Sequence, residues 1–92
     1  MPETKKVQIQ GFKFDPDRVE IAVGDSVEWT NLDSTVHTAS RDEAPEFDSG
    51  SLSKNQSHTE TFDEVSPPEG FEYFCRPHPS MKGRIIIARP AT

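Results

Sequence analysis

Cys75, His78 and Met81 stand three residues apart in the stretch Tyr73-Phe74-Cys75-Arg76-Pro77-His78-Pro79-Ser80-Met81, which holds the chain's one cysteine. A thiolate, an imidazole and a thioether are ligands for a soft or borderline metal ion. Steps of three would also align side chains on a helix face. Pro77 and Pro79 oppose that reading, since each lacks an N–H and drives the preceding residue out of helical geometry. The stretch is therefore expected to be a tight loop curled around one ion. A mononuclear site needs a further ligand, and His37 and His58 are the histidines left. His37 follows a strand pattern in a polar loop, as His78 does, so both would lie at the same end of a sheet structure. His58 opens a strand after a polar turn, and His37 is the better candidate. Two imidazoles and a thiolate with a weak axial thioether make the blue-copper set, whereas structural zinc usually takes more cysteines and no methionine.

The elements around this loop read as strands. Val7 and Ile9, then Phe12 and Phe14, alternate with a break in parity at Gly11, the pattern of a strand carrying a bulge. Asp15-Pro16-Asp17 is a turn. Val19, Ile21 and Val23 line one face of a second strand, Gly24-Asp25 signals a hairpin, and Val27 with Trp29 line a third strand. Asn31 to Asp48 loses the alternation around Val36-His37-Thr38. Phe47 to Leu52 is a short edge piece, Ser57 to Phe62 a threonine-rich strand, and Asp63 to Gly70 a rigid loop with Pro67-Pro68. Phe71, Tyr73 and Cys75 share one side of the next strand, and the triple isoleucine Ile85-Ile86-Ile87 predicts a closing strand covered on both faces. The aromatic residues, Phe12 among them, are assigned to the core. Short strands with turns about every ten residues predict one all-β sandwich or small barrel over residues 1–92.

Sixteen acidic residues against ten basic ones give a net charge of −6. That charge repels phosphate backbones, so nucleic acid is excluded and a partner with a basic surface is the natural complement. No apolar run approaches the length of a membrane span. A single cysteine cannot form an internal disulfide. The opening Met1-Pro2-Glu3-Thr4 has no signal-peptide pattern, so the protein is expected to be intracellular or to be exported by a segment outside this sequence.

Val27-Glu28-Trp29-Thr30-Asn31, the loop from Asp33 to His37-Thr38, Phe47-Asp48-Ser49-Gly50 and the run Tyr73 to Gly83 resemble the cupredoxins, nearest the plastocyanin and amicyanin branch. The Cys-x-x-His-x-x-Met loop is similar to the short ligand loop of amicyanins rather than to the longer one of plastocyanins. The resemblance covers nearly the whole chain. It implies a Greek-key sandwich of seven to eight strands and one copper ion cycling between Cu(II) and Cu(I). It further implies single-electron transfer between redox partners in place of enzymatic turnover, and a periplasmic, lumenal or extracellular address. By matching position it carries metal-ligand roles to His37, Cys75, His78 and Met81, and to no other residue. The chain departs from many relatives at Val36, where they have proline, and in the longer stretch Asp63 to Gly70.

Further expectations attach to these ligands. The ring nitrogen of His37 that does not bind metal should donate to a backbone carbonyl. Pro77 cannot donate to the sulfur, which leaves the backbone of Thr38 as a donor. His78, between two prolines, should expose its ring edge among apolar atoms of Pro77, Pro79, Val36 and Leu32 and serve as the electron port of a monomer. Redox proteins would dock there transiently, steered by acidic residues at the margin. Competing readings are a Cys75 nucleophile with a histidine base, a copper carrier without redox work, an inert immunoglobulin-like domain, and a copper module of a larger oxidase or membrane-anchored chain.

Overall fold

The computed structural model describes residues 2–89; Met1 and residues 90–92, the ends of the expected 1–92 domain, lie outside the described residues. Nine strands follow in chain order: β1 (Thr4–Ile9), β2 (Phe14–Asp15), β3 (Arg18–Ala22), β4 (Ser26–Asn31), β5 (Ser40–Arg41), β6 (Phe47–Asp48), β7 (Ser57–Thr61), β8 (Phe71–Phe74) and β9 (Lys82–Ala88). They form a four-stranded sheet, β2-β1-β4-β7, and a five-stranded sheet, β3-β9-β8-β5-β6. β1 with β4 and β3 with β9 are parallel pairs, and parallel neighbours require a crossover. Here the chain crosses by changing sheets: β3, between β1 and β4 in the chain, belongs to the other sheet. The expected all-β sandwich is what forms. Among the described residues no helix is long and apolar enough to cross a membrane.

Alternation along the strands supplies the core. Val7 and Ile9 of β1, Val27 and Trp29 of β4, Val19 and Ile21 of β3, and Ile85 and Ile87 of β9 are buried, while their neighbours face outward. Trp29 stacks on Phe47 at 5.4 Å and meets Tyr73 edge-on at 5.3 Å, tying the two sheets together. Tyr73 pairs across the strands with Gly83, and a Cβ on Gly83 would collide with the tyrosine ring. Only glycine leaves room for that ring, which lies two residues before Cys75.

Four local expectations are corrected. Gly11 marks no bulge. Gln10 and Lys13 exchange backbone hydrogen bonds around Gly11 and Phe12, both at positive φ (65° and 58°), a two-residue turn of type I′ joining β1 to β2. Parity breaks because the chain reverses. Gly24-Asp25 joins strands of different sheets and so makes no hairpin; the Asp25 carboxylate accepts the Glu3 and Ala22 amides and holds the crossing. β9 is flanked by β3 and β8 but covered fully on one face only, since Ile86 is half-buried beside Gly70. Phe12 is not core, being 50% exposed.

Candidate metal centre

The Cys75–Met81 loop closes on itself through its own backbone. His78 N donates to Cys75 O (3.1 Å), Met81 N donates to His78 O (2.9 Å), and Cys75 N donates to Met81 O (3.1 Å). Two successive three-step turns therefore link the residues singled out by their spacing, and Pro79 at the second position of the second turn has the φ such turns favour. Cys75 and Met81 are buried, and His78 is half-buried.

His37 arrives on the segment between β4 and β5, and β5 pairs with β8 at Ser40 and Phe74. It forms an isolated bridge with Leu52, their backbones exchanging hydrogen bonds of 3.2 and 2.9 Å. The buried Asn31 side chain donates to Thr35 O and Leu52 O, and its oxygen accepts from Asp33 N, which shapes the loop between β4 and His37. The result places His37 Nδ1 and His78 Nδ1 each 3.6 Å from Cys75 Sγ. All three ligand atoms lie within 4.8 Å of one another. His58 is elsewhere, on β7, paired with Glu60 at 2.9 Å.

The donor set fits a single soft or borderline ion. Bonds of about 2.0 Å to nitrogen and about 2.3 Å to sulfur would span the 3.6 Å separations at about 114°, between tetrahedral and trigonal values. Cys75 is fully buried, so no substrate reaches its sulfur and nucleophilic catalysis lacks an approach.

The surroundings of His37 correct one expectation. Its Nε2 meets the Asp33 carboxylate at 2.9 Å and no backbone carbonyl. A carboxylate only accepts, so Nε2 carries the hydrogen and Nδ1 presents its lone pair toward Cys75. Asp33 also accepts the Gly11 and Phe12 amides at 2.9 and 3.0 Å. The Phe12 amide is the main reason that the Asp33 carboxyl lies below its ordinary value of 3.8; the Gly11 amide and His37 add to this against the opposing effect of burial. One carboxylate thus fixes both the His37 tautomer and the turn that carries Phe12. The Phe12 ring packs edge-on against His37 (5.0 Å) and His78 (4.9 Å). Sequence reasoning missed both residues, although an acid four positions before a candidate ligand was a usable signal.

The sulfur receives one backbone hydrogen bond, from Thr38 N at 3.4 Å, as expected. Arg76, next to Cys75, donates through its amide to Thr38 Oγ1 and through its guanidinium to Asp42 and Asp48. Phe12, packed against His78, is 50% exposed, and Val36, next to His37 in the chain, is 38% exposed; Pro77 and Pro79 on either side of His78 are exposed as well.

Comparison with known proteins agrees with this construction. A family model for copper binding proteins of the plastocyanin/azurin family matches residues 3–88. The chain is 30% identical over 86 residues to amicyanin-alpha of Methylorubrum extorquens, covering 89% of this chain and 70% of that one. It is 29% identical to the amicyanin of Paracoccus versutus but spans only 62% of its length, and 30% identical to the plastocyanin of Dryopteris crassirhizoma over 92% of that protein. In structure it is similar to a Cu(I) form of an amicyanin variant, with a TM-score of 0.83 at 24% identity over 91% of this chain and 81% of that one. It is also similar to part of a copper-containing nitrite reductase of Thermus scotoductus, with a TM-score of 0.83 at 28% identity, over 99% of this chain and 23% of that enzyme. The chain belongs to the plastocyanin/azurin family of copper-binding proteins.

Proposed function

We propose that the chain is a monomeric carrier of single electrons whose His37 Nδ1, Cys75 Sγ, His78 Nδ1 and Met81 thioether hold one copper ion. The observation that carries this reading is a buried sulfur with two ring nitrogens at 3.6 Å, open to the surface only on the His78 side. Bound copper supplies the Cu(II)/Cu(I) couple. The protein's part is to keep the ligands still. Asp33 holds the His37 ring, the loop's own backbone triangle holds Cys75, His78 and Met81, and burial keeps water from the thiolate. Ligands that do not move between the two oxidation states keep reorganisation small and transfer fast.

His78 is the port, and Phe12, Val36, Pro77 and Pro79 form the apolar face on which redox proteins dock transiently. The net charge of −6 favours partners with a basic surface. Asp42 and Asp48 are already paired with Arg76, so this attraction rests on the remaining carboxylates such as Glu43 and Glu46. Family membership supports a periplasmic, lumenal or extracellular address. The part-match to a nitrite reductase favours a second reading, a copper module within a longer chain, which the size of the native protein distinguishes.

Voltammetry of the copper-loaded protein tests the carrier role, with a reversible one-electron wave as the expected result and copper binding without a wave as the contrary one. Val36→Glu sets a charge on the apolar face and should slow electron self-exchange at least tenfold; an unchanged rate would remove the docking face. Reduction by a basic partner should slow as salt rises, and a rate independent of ionic strength would remove the steering.

A further inference from the structure

Cys75 and His37 are each followed by a residue that reaches across to the other's segment. Thr38 N donates to Cys75 Sγ at 3.4 Å, and Arg76 N donates to Thr38 Oγ1 at 2.9 Å. Thr38 Oγ1 then lies 2.8 Å from Ser40 Oγ, and Ser40 Oγ donates to Asp48 Oδ1 at 3.1 Å. Counting protons gives the direction. An ionised carboxylate only accepts, so the one hydroxyl hydrogen of Ser40 goes to Asp48, and the hydrogen between Thr38 and Ser40 must come from Thr38. Thr38 Oγ1 is thereby left to accept from the Arg76 amide. Asp48 Oδ2 in turn accepts from Arg76 Nε at 2.8 Å, so the chain of bonds begins and ends on the residue beside the thiolate.

The ring is buried where it matters and charged where it closes. Thr38 is 4% exposed and Ser40 is fully buried. Asp48 stays ionised: burial pushes its carboxyl up, but hydrogen bonds from Arg76, Gly50 and Ser40 outweigh this and hold it below its ordinary value. Bonds that all point toward one anion polarise one another. Breaking the bond between Thr38 and Ser40 leaves a buried hydroxyl hydrogen without a partner.

We propose that Thr38, Ser40, Asp48 and Arg76 form a closed hydrogen-bond ring that positions the Thr38 amide on the Cys75 thiolate and so sets the reduction potential of the copper site. The proposal rests on the ligand reading above. Hydrogen bonding around the cysteine sulfur is one of the levers on such potentials. An N–H held against the thiolate withdraws charge that would otherwise stabilise Cu(II), so a firm ring raises the potential and a broken ring lowers it. These residues touch no metal and act through Thr38 N, as positioning residues.

The test uses uncharged substitutions, which change no through-space charge. Thr38→Val and Ser40→Ala should each lower the potential, shifting the Cu(II):Cu(I) ratio at a fixed ambient potential at least twofold, about 18 mV at 59 mV per tenfold for one electron. Thr38→Ser, which keeps the hydroxyl, should restore it. In metal-free protein the Arg76 amide should exchange its hydrogen slowly, and at least tenfold faster in both broken-ring variants. Asp48→Ala opens the ring from its exposed end and should quicken the same amide should the buried variants fail to fold. A blue wild-type protein whose potential and Arg76 exchange stay unmoved in these variants overturns the ring. A wild type that binds copper without blue colour overturns the ligand reading instead.

Discussion

The two halves of the proposed metal site are built by opposite means. Cys75, His78 and Met81 sit on one loop whose backbone bonds join each of them to the next, so this half carries its own geometry. His37 stands on a segment with no such closure. Its support comes from Asn31 below, Leu52 beside it, and Asp33, which also holds the distant turn at Gly11 and Phe12. One half is local and half-open at His78; the other is assembled from tertiary contacts and sealed. A ligand set can thus be contiguous in sequence for most of its members and still depend on the whole sandwich for the last.

The largest expected effect separates the halves by access. His78→Gly and His37→Gly should both lose the blue colour of the copper protein. Added imidazole should restore it in His78→Gly, where the vacated space opens to solvent, and not in His37→Gly, whose site is fully buried beneath Phe12. Equal rescue of both would erase the distinction between an open and a sealed half.

A smaller effect sharpens the contrast in support. Asn31→Ala leaves the Thr35 and Leu52 carbonyls without their side-chain donor and should cost about 1–3 kcal/mol of metal-free stability in urea titrations. A midpoint equal to wild type would mean that the His37 segment is held by something else.

The smallest effect concerns the loop half, where Arg76 binds Asp42 and Asp48 at the surface. Arg76 is the chief cause of the lowered Asp42 carboxyl, and the Asp48 carboxyl is lowered against partial desolvation by its hydrogen bonds, that from Arg76 first. A carboxyl depressed in the folded state stabilises the fold above its unfolded value of 3.8, and that stability is lost as pH falls through the lower folded values. Metal-free protein should therefore hold a level urea midpoint above about pH 5 and lose stability below pH 3.8. Arg76→Gln should shallow that decline, as should high salt, because these groups are exposed and screened. An Arg76→Gln profile parallel to wild type would show that the pairs do not hold the loop.

Legibility followed the same division. The loop could be read because its chemistry is local: a cysteine, a histidine and a methionine at equal steps, with prolines that forbid a helix. The sandwich could be read from strand alternation at Val27 and Trp29 and at Tyr73 and Cys75, since inward faces need apolar residues whatever the topology. Phe12 was misplaced because a glycine at positive φ serves both a bulge and a type I′ turn, and only the pairing of Ile9 with Phe14 decides between them. The triple isoleucine overstated burial because strand preference favours isoleucine on half-covered faces as well. Asp33 was overlooked since a carboxylate in a polar loop is ordinarily solvated; its role appears only when the turn at Gly11 and the ring of His37 are brought to it.

The central claim is that one copper ion binds a buried thiolate together with His37 and His78. Adding copper(II) to the metal-free protein and recording its visible spectrum tests this most directly. An intense blue thiolate-to-copper charge-transfer band should appear at one equivalent, be absent from Cys75→Ser and be altered in Met81→Ala; copper bound stoichiometrically with no such band would contradict the account.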